Sequence, residues 1–222
     1  MANIIEIGEV TESRTFHQLG ILVLDGSGSM AAIGDGNISL ADSVNRAVRE
    51  FLGFFKNSSI ANNFSIAVIT FDNNSNVHTP ITELTSIDDF ADYNPLNDHG
   101  GGTFIGGALE AAEVLALQFL NNPESTSIPH DVRLLVMSDG LCLAPDQTKL
   151  VADRLKQNNK IMICSSLFTQ TSKVGESEIS EAKTVLSDIA SAPNLYKTTY
   201  KENDLRQFFI SSMSAKRKNI ND

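Results

Sequence analysis

Residues 25–29 read Asp-Gly-Ser-Gly-Ser and follow directly on the apolar run of residues 21–24. One carboxylate and two hydroxyls stand two positions apart, with glycines between them. On a tight loop that spacing turns alternate side chains to one side, and glycine lets the backbone turn closely. Two other polar segments end or begin apolar elements in the same way. Gly100-Gly101-Gly102-Thr103 precedes a helical pattern, and Ser138-Asp139-Gly140 follows the run of residues 132–137. Setting Ser138 aside, the three segments offer two carboxylates and three hydroxyls, with no His or Cys in the motifs. Oxygen donors suit hard cations and disfavour Zn2+ or copper. The candidate ligands are Asp25, Ser27, Ser29, Thr103 and Asp139. Mg2+ is the expected ion, with Mn2+ or Ca2+ as alternatives, and Ser138 is read as structural.

Whether these segments meet depends on the elements that carry them. Apolar runs of strand length alternate with patterns of helical spacing. Residues 19–24, 64–71, 132–137, 161–167 and 195–200 read as strands. Leu40, Val44, Val48, Phe51, Leu52 and Phe55 mark a first helix, with Ser39 and Asp42 as a capping box at its start. Ile105, Leu109, Ala112, Ala116 and Phe119 mark a second, stopped by Asn121-Asn122-Pro123. Further helices are marked by Leu150, Val151 and Leu155, by Ile179, Ala182, Leu186 and Ile189, and by Leu205, Phe208, Phe209 and Met213. Residues 77–84 follow the polar turn 72–76 too closely for a crossover, so they form an antiparallel hairpin at a sheet edge. This predicts an α/β fold: a doubly wound, Rossmann-like three-layer sandwich. Its six-stranded sheet is mostly parallel, with one antiparallel edge strand and helices on both faces. Ligands of such sheets bind beyond the carboxyl ends of the strands, where the strand order reverses. If the first strand and the strand at 132–137 are neighbours, all three polar segments converge there. One domain is expected over residues 15–215, with an N-terminal arm or extra edge strand at 1–14 and a tail at 216–222.

Composition narrows the function. The chain has 222 residues and a formal net charge of −10, which argues against nucleic acid or anionic membrane as partners. Lys216-Arg217-Lys218 is the one basic cluster and reads as a solvated end. Two cysteines, Cys142 and Cys164, make no disulfide framework, and Cys142 reads as packing. The opening stretch MANIIEIGEV lacks the pattern of a secretory signal, and no apolar run approaches the length of a membrane span. A reduced, cytoplasmic location is expected.

Rival motifs fail on chemistry. Asp72, Asn74, Asn76 and Glu83 imitate a calcium loop, but Val77 stands where glycine is required and strands flank it. The glycines at 100–107 are followed by no Gly-Lys-Ser/Thr. A phosphatase-type aspartyl nucleophile needs a second acid where Ser27 stands, and there is no G-x-S-x-G elbow. His17, His78, His99 and His130 are scattered, and His99 reads as a solvent-exposed loop residue. The chain is therefore expected not to be an enzyme.

The order and placement of Asp25-Gly26-Ser27-Gly28-Ser29, Thr103 and Asp139 resemble the von Willebrand factor A (VWA) domain family and its metal-ion-dependent adhesion site (MIDAS). The likeness covers nearly the whole chain. It implies that Ser27, Ser29 and Thr103 supply hydroxyl oxygens to a divalent cation. It also implies that Asp25 and Asp139 act directly or through water, and that the cation accepts an Asp or Glu of a partner protein. The stretches SIAVITFDNN, PITEL, GGGTFIGGAL and LLVMSDG are similar to bacterial tellurium-resistance (TerY-like) VWA proteins. That likeness implies a stress-response role alongside a protein kinase, a PP2C-type phosphatase or other Ter proteins. The alternatives are a VWA subunit of a MoxR-type AAA+ ATPase and a metal-dependent hydrolase. The loop of residues 31–38 is expected to border the site and to shape partner choice.

Overall fold

The structure is a computed structural model that describes residues 14–122, 127–173 and 175–215. Strands β1 (His17–Asp25), β2 (Phe64–Phe71), β3 (Ser75–Glu83), β4 (His130–Ser138), β5 (Ile161–Phe168) and β6 (Tyr196–Thr199) form one sheet in the order β3-β2-β1-β4-β5-β6. All neighbouring pairs are parallel except β2 with β3. Five α-helices accompany it among the described residues: α1 (Leu40–Lys56), α2 (Ile105–Leu120), α3 (Pro145–Lys156), α4 (Ser177–Ile189) and α5 (Glu202–Ser214). The predicted doubly wound architecture with one antiparallel edge strand is the observed one.

The central strands are buried on both faces, which is why they read as unbroken apolar runs. Successive side chains of β1 point to opposite sides. Leu19, Ile21 and Val23 join α2, α3 and α4 in one core, while Leu22 and Leu24 join α1 and α5 in the other. Gly20 lies on the α5 side, where a Cβ would stand 2.7 Å from Met213 Sδ, so glycine lets that helix sit close to the sheet. The end of α5 is tied down there as well. Gln18 Nε2 donates to the Met213 carbonyl (2.9 Å), and Arg133 donates to that of Ala215 (2.9 Å). Arg133 is a buried cation whose charge is met by Asp131 at 3.3 Å.

Local signals place the helix starts. The Ser39 hydroxyl accepts the Asp42 N–H (3.0 Å) and donates to the Asp42 carboxylate (2.6 Å). Asn121 caps the end of α2; Pro123, predicted as part of that stop, lies outside the described residues. So do the expected arm or extra strand over residues 1–14, apart from Arg14, and the expected tail at 216–222 with its basic cluster. No described helix is long and apolar enough to cross a membrane.

Candidate metal site

Strands β1 and β4 are neighbours, with Leu24 beside Met137 in register. The chain turns outward from β1 to β2 and β3, then returns to the other side of β1 as β4. The order therefore reverses between β1 and β4, and the crevice at a doubly wound sheet's binding end opens above their C-termini. Asp25 is the last residue of β1 and Asp139 follows the last residue of β4.

Asp25 is fully buried and both its oxygens are engaged. Oδ1 accepts the Ser27 N–H (2.7 Å), and Oδ2 accepts the Ser138 hydroxyl (2.5 Å). Ser138 is thus structural, as predicted. Ser29 sits in the short 3-10 turn Gly28–Ala31; its hydroxyl donates to Asp139 Oδ1 (2.7 Å) and lies 3.1 Å from Ser27 Oγ. The two aspartates, from separate strands, therefore belong to one hydroxyl-bridged cluster. Gly26 makes the turn between them feasible: a Cβ there would stand 1.9 Å from the Pro95 carbonyl oxygen.

Thr103 is buried and lines the same cleft as Ser27, Ser29 and Asp139. Its loop is stitched to both motifs. Gly28 N–H donates to the Gly101 carbonyl, and Leu143 N–H donates to the Thr103 carbonyl, each at 2.9 Å. Four of the five predicted residues line the cleft; Asp25 is buried outside its lining and is joined to it through the Ser27 N–H.

Burial dominates the electrostatics. It pushes the Asp25 carboxyl up to about 7, with the charge of Asp139 adding to the rise and the Ser138 and Ser27 hydrogen bonds opposing it. Burial also raises Asp139, against the hydrogen bond from Ser29 and the charge of Lys173. Two carboxylates held this way favour a compensating positive charge between them. Their side-chain partners are hydroxyls, and among the described residues no cluster of three or more His, Cys, Asp or Glu side chains forms an alternative site. The donor set fits a hard divalent cation.

The cleft, about 290 Å³, has walls that the sequence did not mark. Leu141, Leu143 and Ile179 supply an apolar side, with Leu143 65% exposed, and Lys173, Glu176 and Glu178 supply a charged one. Leu141 and Leu143 follow Asp139 within four residues, whereas Lys173, Glu176, Glu178 and Ile179 lie more than 30 residues beyond it. The loop of residues 31–38, expected to border the site, contributes none of the lining. It is held by Gln170 Nε2 on the Ile33 carbonyl and by Thr171 on Asp35, just before the cleft residue Lys173. His99 also departs from expectation. Its side chain is 1% exposed rather than solvated, because the ring packs between Asp72 (3.2 Å) and Thr70 (3.0 Å) beneath the glycine loop. Cys142 is buried against Thr148, as predicted.

A family model of the von Willebrand factor type A domain matches residues 21–141. No curated protein matches the chain. Among solved structures, the pilus adhesin SpaC from Lactobacillus rhamnosus GG in its open conformation superposes with a TM-score of 0.72 at 12% identity, covering 91% of this chain and 30% of SpaC. The vWF domain of the type V pili tip protein Mfa5 from Porphyromonas gingivalis gives 0.65 at 13%, covering 94% of this chain and 99% of that one. Proximal thread matrix protein 1 from the mussel byssus, solved with zinc in its MIDAS motif, gives 0.58 at 16%, covering 90% and 45%. The chain thus spans under a third of SpaC and under half of the mussel protein. At these identities the likeness is one of fold, and it agrees with the strand order and the crevice described above. With its family match extending from β1 through the Asp139 turn, the chain belongs to the von Willebrand factor type A domain family.

Proposed function

We propose that this domain holds a divalent cation, Mg2+ first, through Asp25, Ser27, Ser29, Thr103 and Asp139, and uses it to dock an acidic residue of a partner protein. The observation that carries the reading is the pair of buried carboxylates on adjacent strands, bridged by hydroxyls and opening into one cleft. A bound cation would supply a Lewis-acid position for an external carboxylate. Asp25 fixes the loop through the Ser27 N–H, Ser29 and Ser138 hold the two carboxylates in place, and Leu143 offers an apolar contact to whatever flanks the incoming acid. The zinc in the mussel protein supports divalent occupancy; the oxygen-only donor set here favours Mg2+, Mn2+ or Ca2+. The stretches similar to tellurium-resistance VWA proteins support a stress-response setting, with a kinase, a phosphatase or other Ter proteins as the partners to test.

The test is calorimetric titration with Mg2+, Mn2+ and Ca2+, with and without millimolar acetate, beside the double variant Asp25→Ala, Ser27→Ala. Heat in the parent that vanishes in the variant is the expected result. A folded parent that binds none of the ions, with or without acetate, overturns the proposal.

A further inference from the structure

The turn between β2 and β3 is bonded beyond its own hairpin. Asp72 Oδ1 accepts the Asn74 N–H (2.9 Å), which is all that a short Asx-type turn requires. Asp72 Oδ2 instead reaches the glycine loop and accepts the Gly101 N–H (3.0 Å). The Asp72 carbonyl accepts the Phe104 N–H (2.9 Å), and Asn73 Oδ1 accepts the Gly102 N–H (3.1 Å). Thr103 is therefore flanked on both sides by amides bound to residues 72 and 73. The Gly101 residue is gripped twice, since its carbonyl takes the Gly28 N–H from the Asp25–Ser29 loop. Behind Asp72 stands the buried His99, braced on Thr70.

We propose that Asp72 is a positioning residue, helped by Asn73 and His99, that fixes Thr103 against the Ser27–Ser29 loop and thereby sets which cation the site prefers. This rests on the reading of the site as a cation site. Asp72 is suited to the task because it stays ionised. Burial would raise its carboxyl, but the Asn74 and Gly101 amides and the His99 ring outweigh that and bring it down to about 2. An asparagine keeps the shape and loses one acceptor, so either the Asn74 or the Gly101 N–H goes unmet. Mg2+ demands near-ideal octahedral geometry at short distance, whereas Ca2+ tolerates more ligands at longer and more variable distances. A displaced Thr103 therefore penalises Mg2+ more than Ca2+.

The experiment compares the parent with Asp72→Asn in two ways. Amide exchange, measured in EDTA, reads the latch without any ion. Titration with Mg2+ and Ca2+ reads the preference. The expected result is faster exchange at Gly101 and Gly102 with β2–β3 protection kept, an Mg2+ affinity lower by about 10-fold, and a Ca2+ affinity lower by less than about 3-fold. Unchanged exchange overturns the latch. Equal losses for both ions, or none, with the parent binding normally, overturn the effect on preference while leaving the cation site standing. A parent that binds neither ion overturns the site reading and the preference together. Should Asp72→Asn fail to fold, Asn73→Ala removes only the Gly102 acceptor, and the same Mg2+-over-Ca2+ asymmetry is expected at smaller size; equal losses there count against the proposal in the same way.

Discussion

Replacing Asp25 by Asn should make the metal-free protein more stable at neutral pH while abolishing its response to divalent ions. The folded carboxyl lies at about 7 against an ordinary 3.8. Between those values the folded state keeps a proton that the unfolded chain releases, so stability falls as pH rises from about 4 to 7 and levels off above. Each pH unit of displacement is worth about 1.36 kcal/mol, which puts the ceiling of the penalty at about 4 kcal/mol above pH 7. Asn removes the charge and keeps the contacts: its oxygen can accept the Ser27 N–H, and its amide can donate to the Ser138 hydroxyl in reversed sense. The assay is urea unfolding in EDTA at pH 5 and pH 8, with parent and variant compared at each pH so that other titrating groups cancel. The variant is expected to gain at least about 1 kcal/mol over the parent at pH 8, and distinctly less at pH 5. With Mg2+ at about 100 times its dissociation constant the parent alone should gain about 2.7 kcal/mol. A variant less stable than the parent at pH 8 in EDTA would refute the reasoning, because the carboxylate would then be a net stabilising acceptor rather than a charge held for a counter-ion.

Two other substitutions probe the loop and the cleft wall. Gly26→Ala drives a Cβ into the Pro95 carbonyl and should cost about 3 kcal/mol by urea unfolding, and a loss below about 1 kcal/mol would show that the loop yields. Lys173→Gln removes the positive charge that favours ionised Asp139 and competes with a cation; Mg2+ should bind about 2- to 5-fold tighter at low salt, with the gain shrinking at 0.5 M salt, and weaker binding would contradict this.

The parts of the fold that were legible in the sequence are those fixed by local pattern. Strand β2 runs over Phe64–Phe71, the limits of its run, and every residue along it is buried, Ser65 and Thr70 included. Strand β6 is shorter than its 195–200 pattern, since only Tyr196–Thr199 find partners on β5. Asp25, Ser27, Ser29, Thr103 and Asp139 were legible because each closes or opens an apolar element whose direction the alternation sets. His99 was misread because its burial comes from Asp72 and Thr70, which lie more than 25 residues away and carry no local mark. The same holds for the cleft wall at Lys173, Glu176, Glu178 and Ile179, more than 30 residues beyond Asp139. Residues 31–38 contribute no lining residue; Ile33 and Asp35 bond to Gln170 and Thr171, just before the cleft residue Lys173.

The ties from Gln18 and Arg133 to the last turn of α5 have a consequence for the chain's exits. They hold that end of the described chain near the start of β1, at the opposite end of the strand from Asp25. Both exits, at residues 14 and 215, therefore lie a nine-residue strand's length, about 30 Å, from the crevice. Residues 14 and 215 thus sit at the end of the sheet opposite the crevice.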